Sequence, residues 1–442
     1  MTPPPPIDDS QSSHISPECP QHIRHILVSS WSHDVDTLKT LVSSRHLATL
    51  QDPETGETPL HAAIRACRAQ DAHPKKPPSR DANSSQQEAQ PQQQNKDMKQ
   101  AQSILEHLFF SGAIWNDVDA NNETPGCVAR RLGLYPLYDM CVAAGVRAEL
   151  LFSLLDGYQE LSSGSDNDDA EARHQSQPDD QEAQPDDAPP DSGAKNSSSP
   201  TDEDKPVTSD QYLKSCLSLD SDKLLDADLN GVMMSWETDI MRRSVTALIP
   251  SSERGKRILN IGFGMGIIDS LFAELDPSRH HIIEAHPEII HHASKPDSKF
   301  GPQWEKSGPQ EGAFKLHAGK WQDVVPQLVE QGEMYDAIYF DTFGEDYSQL
   351  RLFITEYVPS LLHDQGRFSF FNGLGADRPL CYDVYTKVVE MHCADAGLDL
   401  EWDEIHVDMS NLNEPGKGAW EGVRRRYWTL DKYRLPTCTF MG

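Results

Sequence analysis

The sequence predicts an α/β domain built on a mostly parallel sheet, preceded by a short stack of helices. Three observations carry that expectation. Strand and helix patterns alternate from about Tyr212 to the C-terminus, as in sheets covered on both faces. An apolar strand, Ile258–Ile261, runs into glycines at alternate positions, Gly262, Gly264 and Gly266, and a helix comes next. Ahead of both, Thr-Pro turns at Thr58 and Thr124 each precede a helical pattern.

The first of these turns lies in Gly56–Ala63, which reads Thr-Pro-Leu-His-Ala-Ala and matches the ankyrin signature T-P-L-H-x-A. Asp119–Ala129 is a degraded second copy, followed by Leu132–Tyr135 and an apolar helix through Val142. With helices around Val35–Val42 and Ile104–Phe110, residues 22–156 form an ankyrin-like module, of a kind that binds proteins more often than it catalyses. A plain helical cap on the next domain is the alternative. Residues 71–100, rich in Gln, Pro, Lys and Ser, are expected to be a disordered insert, and 157–206 a disordered acidic linker. A second globular part is then expected over 207–442.

Within it, helical patterns near Leu224–Met234 and Asp239–Leu248 come first. Strands are then expected at Ile258–Ile261, His281–Glu284, Phe314–His317, Ala337–Phe340 and Arg367–Phe371. Helices are expected at Ile267–Leu275, Pro287–His292, Val324–Gln331, Thr355–Leu362 and Asp383–Ala396. Leu398–Ile405 and Arg426–Leu430 read as two closing strands.

Composition narrows the function. The 442 residues carry a formal charge of −31, which argues against direct nucleic-acid binding or attraction to anionic membrane. Residues 160–206 alone contain fourteen acidic and three basic side chains, as a solvated linker does. Eight cysteines without a C-x-x-C pair fit a reducing compartment and neither disulfides nor a zinc site. The N-terminus lacks signal-peptide features, and no apolar run reaches the eighteen residues of a membrane helix. A soluble intracellular protein, cytoplasmic and nuclear, is expected.

The glycine loop marks a nucleoside-bearing cofactor, because glycines let the backbone come close. Its G-x-G-x-G spacing, with Ile267 at the last fingerprint position, favours S-adenosylmethionine over a dinucleotide. Glu284, eighteen residues past Gly266 at a strand end, stands where such folds place a ribose-binding acid. Asp341 ends the apolar strand Ala337–Phe340, where ligands of open α/β sheets bind, although a strand-end cap is the alternative. Glu237, in Trp236-Glu237-Thr238, is either a site carboxylate or an exposed helix acid. His280, His281, His286, His291 and His292 read as surface histidines, so no metal is expected. Arg424–Arg426 reads as a solvated strand edge or an acceptor-side contact.

Residues 232–241, 258–268, 281–286, 317–322 and 336–342 together resemble guanidinoacetate methyltransferase, whose motifs are M-x-x-W-E-T-x-x-M, V-G-F-G-M-A, I-I-E, G-x-W and Y-D-T. With the ankyrin-like N-terminus ahead, the chain resembles the fungal protein arginine N-methyltransferase 2 family. The resemblance implies a Rossmann-like class I S-adenosylmethionine-dependent methyltransferase domain and a type IV activity. Such an enzyme methylates the δ-nitrogen of an arginine in a large-subunit ribosomal protein. By the same resemblance, Phe263, Gly264, Met265, Gly266, Ile267 and Ile268 wrap the methionine part of the cofactor. Glu284 holds the ribose, Ala285 and His286 lie beside the adenine, and Gly319 and Lys320 close over it. Tyr212, Met233 and Met241 line the pocket, with Asp341 at its acceptor end. Glu237 and Asp341 are the catalytic pair that grips the guanidinium. The chain departs from the guanidinoacetate enzyme at Gly266 and at Phe343–Asp346, on the acceptor side, which points away from free guanidinoacetate.

Chemistry agrees with these roles. A guanidinium is a permanently charged planar fork of donors, and two carboxylates can grip and orient it. Methyl transfer then depends on alignment and on stabilising the moving charge. A small-molecule guanidino methyltransferase and a non-catalytic ankyrin adaptor are the alternatives. A monomer with a protein substrate and no membrane partner is expected.

Overall fold

In the computed structural model, residues 7–69, 89–163, 207–220 and 222–442 are described. The N-terminal half is helical, with Gln21–Trp31, Val35–Leu41, Pro59–Ala69, Ala89–Phe110, Pro125–Arg131 and Tyr135–Ser163 as its main helices. Thr58 begins the Pro59 helix, and its Oγ1 lies 2.8 Å from His61 Nδ1. His61 Nε2 in turn meets the carbonyl of Glu123 at 2.9 Å, tying one Thr-Pro turn to the other. Ile26, Leu38, Leu60, Ile64, Ile104, Leu108, Val128 and Leu137 fill the core between the helices.

Two expectations change here. Residues 89–100, assigned to the disordered insert, are the opening turns of the helix Ala89–Phe110. Ala, Gln and Lys are good helix formers, and Ala101, Ile104, Leu105 and Leu108 bury a helical stripe that anchors the segment. The helix starting at Tyr135 also continues to Ser163, into the stretch assigned to the linker. The rest of both expected segments, 71–88 and 164–206, lies outside the described residues.

A buried cation organises the N-terminal half. Arg65 is fully buried and ion-pairs with Asp9, with Glu57 at 3.3 Å and with Asp119, while Glu123 lies at 3.9 Å. Asp119 also accepts backbone N–H bonds from Asn121 at 2.8 Å and Glu123 at 2.9 Å.

The C-terminal half opens with a small antiparallel sheet: β1 Ser218–Leu219, β2 Lys223–Leu225 and β3 Gly231–Met234. This overturns the helical reading of Leu224–Met234. Asp226 accepts N–H bonds from Asp228 at 3.0 Å and Asn230 at 2.8 Å. Such side-chain-to-backbone bonds build a turn in competition with a helix, and Leu229 takes a φ of +62°.

The main sheet has seven strands: β4 Arg257–Ile261, β5 Arg279–Glu284, β6 Phe314–Ala318, β7 Tyr335–Phe340, β8 Leu362–Phe370, β9 Leu398–His406 and β10 Lys432–Phe440. Their order is β6-β5-β4-β7-β8-β10-β9, and β10 runs antiparallel between β8 and β9. The closing strand is thus Lys432–Phe440 rather than Arg426–Leu430. The earlier segment instead drives Trp428 into a core with Trp420 and Tyr433. The order reverses at β4, where β5 and β7 leave to opposite sides, and ligands of open α/β sheets bind at such a switch point.

The helix Pro379–Asp395 joins the halves. Leu380, Cys381, Val384 and Val388 belong to the N-terminal core, whereas Val389 and Cys393 belong to the sheet core. A Cβ at Gly126 or Gly145 would come within 2.6 Å of Leu380 or Val384, so glycine lets the two helices pack closely here. The Tyr138 hydroxyl donates to Asp383, which also pairs with Arg434 at 2.7 Å.

Candidate active site

Four strand ends converge on one crevice. β4 ends at the glycine loop, β5 at Glu284, β6 just before Gly319 and β7 just before Asp341. Gly262 has a φ of +91°, and a Cβ there would lie 1.8 Å from the carbonyl oxygen of Asp341. The loop and the Asp341 turn are therefore packed backbone to backbone, which only glycine permits. At Gly264 a Cβ would meet the Met233 methyl at 2.6 Å.

Glu284 staples the loop. Its Oε2 accepts N–H bonds from Phe263 at 2.9 Å and Gly264 at 3.3 Å, and its Oε1 accepts that of His286 at 2.7 Å. Burial raises its pKa, opposed by these backbone donors. His286 in turn bonds the carbonyl of Tyr212 at 3.1 Å. The Tyr212 ring sits between His286 and Phe343, with centroids 4.8 and 5.0 Å away.

Two clefts meet at Asp341. The first is walled by Tyr212, Met233, Gly264, Glu284, Ala285, Gly319, Lys320 and Asp341. The second, which is open, brings together Glu237, Asp341, Phe343, Glu345, Arg425 and Tyr427. Of the residues expected at the cofactor, Met241 and Ile268 lie behind the wall, buried with Val245, Leu248 and Ile258. Ile267 packs against the same core, and Gly266 starts the helix Ile267–Ala273. Phe263 and Met265 line a neighbouring hollow with Leu224 and Phe300. On their helices, Met241, Ile267 and Ile268 face the sheet core, away from the cleft.

The two carboxylates share an electrostatic problem. Asp341 is half-buried, and its Oδ2 has no hydrogen-bond partner among the described residues. Burial pushes its pKa up to about 7. Glu237 is buried, and its Oε1 accepts the hydroxyl proton of Tyr427. Burial, and then the charge of Asp341, raises Glu237 well above the usual carboxylate range. A cation between them relieves both penalties.

Two contributors escaped the sequence reading. Tyr427 is 190 residues from Glu237, and no local pattern could pair them. Glu345 lies in the quoted run Phe343–Asp346 but was given no role; two acids directly after an apolar strand were the available signal. Arg425 does reach the second cleft, whereas Arg424 bonds Asn230 at 3.1 Å and Arg426 bonds the carbonyl of Asn413 at 2.6 Å. The surface reading of the histidines fails for three of them. His280 is buried against Asp269 at 2.9 Å, His281 against Tyr335 at 2.8 Å, and His286 beneath Tyr212. His291 and His292 are exposed. Among the described residues, the grouping with metal-ligand spacing is His14, Glu57 and Asp119, in the N-terminal half, and Arg65 already pairs with both acids.

Known proteins supply the remaining comparison. The family pattern "Guanidinoacetate N-methyltransferase" matches residues 217–396. "Protein arginine N-methyltransferase 2" of Gibberella zeae is 60% identical over 428 residues, 96% of this chain and 94% of that protein. Its namesake in Neurospora crassa is 57% identical over 447 residues, covering 98% and 99%. Among solved structures, Aeropyrum pernix fibrillarin with natively bound S-adenosyl-L-methionine aligns at 13% identity and a TM-score of 0.29, over 52% of this chain and 85% of that one. The near-full-length identity to the fungal proteins decides the matter: this chain belongs to the protein arginine N-methyltransferase 2 family, carries a guanidinoacetate N-methyltransferase-like domain, and is a methyltransferase.

Proposed function

We propose that the protein methylates the δ-nitrogen of an arginine in a large-subunit ribosomal protein, using S-adenosylmethionine. One observation carries the acceptor assignment: Asp341, with a free Oδ2, and the buried Glu237 face the same cleft. Two acids whose carboxyls burial pushes above the usual range, facing one cleft, form a receptor for a planar cation. The first cleft suits the cofactor. It offers an acceptor-only carboxylate for vicinal hydroxyls at Glu284, a glycine cradle, and apolar walls from Tyr212 and Met233.

S-adenosylmethionine, when bound, supplies a methyl group on a sulfonium cation. The chain's own groups do the rest. Asp341 and Glu237 hold the guanidinium in one orientation, so its nitrogen is presented at the junction of the two clefts. Tyr427, donating to Glu237, fixes the far carboxylate. The methylated guanidinium keeps a single positive charge, so one proton must leave. Asp341 Oδ2 is our assignment for its acceptor. The N-terminal helices are, in the same reading, an ankyrin-like module that recognises the protein substrate. Residues 22–163 and 207–442 are then the recognition and catalytic parts of a cytoplasmic and nuclear monomer.

The test is to incubate the protein with labelled cofactor and either ribosomal protein or guanidinoacetate, and to locate the methyl group by mass spectrometry. Label on the internal nitrogen of a ribosomal-protein arginine is expected. Label on guanidinoacetate alone would replace this reading with the small-molecule one.

Glu284 provides a separate check on the cofactor. Glu284→Ala should weaken S-adenosylhomocysteine binding about 10–100-fold by calorimetry, the size of lost hydrogen bonds to a charged group. Glu284→Gln, which keeps an acceptor, should lose less. Unchanged affinity in both would remove the ribose assignment.

A further inference from the structure

We infer that Glu345 is a positioning residue that couples occupancy of the cofactor cleft to the geometry of the acceptor cleft. It lines both clefts. On the cofactor side its carboxylate takes the indole N–H of Trp321, at 3.1 Å to each oxygen, and the amide of Gln322 at 2.8 Å. On the acceptor side its Oε2 takes the hydroxyl of Thr342 at 2.7 Å. Thr342 is the residue after Asp341.

The cofactor-side partners stand on firm ground. Trp321 is 3% exposed, and its ring packs against Phe340, Phe353 and Tyr357 at centroid distances of 5.5 to 5.9 Å. It opens the helix Trp321–Glu330 directly after Gly319 and Lys320, which wall the cofactor cleft. A shift of that wall is passed through the Trp321 and Gln322 donors to Glu345, then to Thr342 and the Asp341 carboxylate. Held between Trp321, Gln322 and Thr342, Glu345 ties the cofactor-side wall to the residue next to Asp341, and its part here is to position Asp341. The inference rests on the function proposed above, because it takes Asp341 as the acceptor group. Coupling of this kind is reciprocal between the two ligands.

The experiment measures S-adenosylhomocysteine and a short peptide with one central arginine by calorimetry, each alone and with the other saturating. In the wild type each ligand should tighten the other at least about 5-fold. Glu345→Gln and Thr342→Val, which cut opposite ends of the strut, should each bring that factor close to 1. Each should leave S-adenosylhomocysteine affinity alone and the thermal midpoint nearly unchanged, and lower kcat more than it raises the cofactor KM. A simple packing role would instead lower the midpoint and leave the coupling. Variants that keep the wild-type coupling overturn the inference, as does a wild type that binds both ligands independently. A wild type that takes no arginine peptide even with S-adenosylhomocysteine present overturns the acceptor assignment itself, a different and recognisable failure.

Discussion

Asp341→Asn should lower kcat/KM for the arginine substrate by about 10²–10³-fold, the size of effect seen when one preorganised electrostatic contact to a transition state is removed. Asparagine keeps the shape and one acceptor oxygen but gives up the charge that meets the guanidinium. Glu237→Gln should lose a comparable factor. The two losses should not add, because either variant breaks the bidentate grip. Near wild-type turnover in both variants would dismantle the mechanism.

The same pair sets the pH response. Asp341, held at about 7 in the folded protein against an ordinary 3.8, is largely protonated below neutrality and then cannot pair with the cation. Arginine stays charged throughout this range. The kcat/KM profile of the wild type should therefore rise with pH through about 7, since it reports the free enzyme. In Asp341→Asn the negative neighbour that helps raise Glu237 is gone, so Glu237 should titrate lower than it does in the wild type. For stability the sign is opposite. A carboxyl whose folded pKa is raised holds its proton more tightly when folded, so its contribution falls as pH climbs from about 4 to 7. A bound cation should cancel that cost.

Arg65→Met should be the most damaging change away from the site, at about 3–5 kcal/mol, because it leaves Glu57 and Asp119 buried without their cation. The thermal midpoint is the measurement. Adding Asp119→Asn should return part of the loss, which a simple packing defect would not show. Methylation per folded molecule, measured well below the transition, should be unaffected. A midpoint within about 1–2 °C of the wild type would mean the cluster contributes little, given that about 1 kcal/mol moves a midpoint by several degrees.

Legibility in the sequence was confined to features written locally. Gly262, Glu284 and Asp341 each sit at the end of an apolar strand, where a short pattern announces both the strand and the turn that ends it. The β1–β3 hairpins were misread because short strands of Leu, Val and Met carry no clear period; only Asp226, through its backbone bonds, makes the turn. Met241 and Ile268 are expected at the cofactor by resemblance, yet helix geometry turns them into the core. Tyr427 with Glu237, Glu345 with Trp321, and Leu380 with the N-terminal helices are long-range pairings. Such contacts are created by topology, and no short window of sequence contains both partners.

The helix Pro379–Asp395 has a practical meaning for anyone wishing to trim the protein. One of its faces finishes the catalytic sheet and another finishes the N-terminal core. A catalytic half made without residues 7–163 would present Leu380, Val384 and Val388 to water, losing about 1.5–3 kcal/mol for each side chain. The newly bared stripe is the kind of surface that drives self-association. The N-terminal helices thus act as a built-in solubility cover for the rest of the chain.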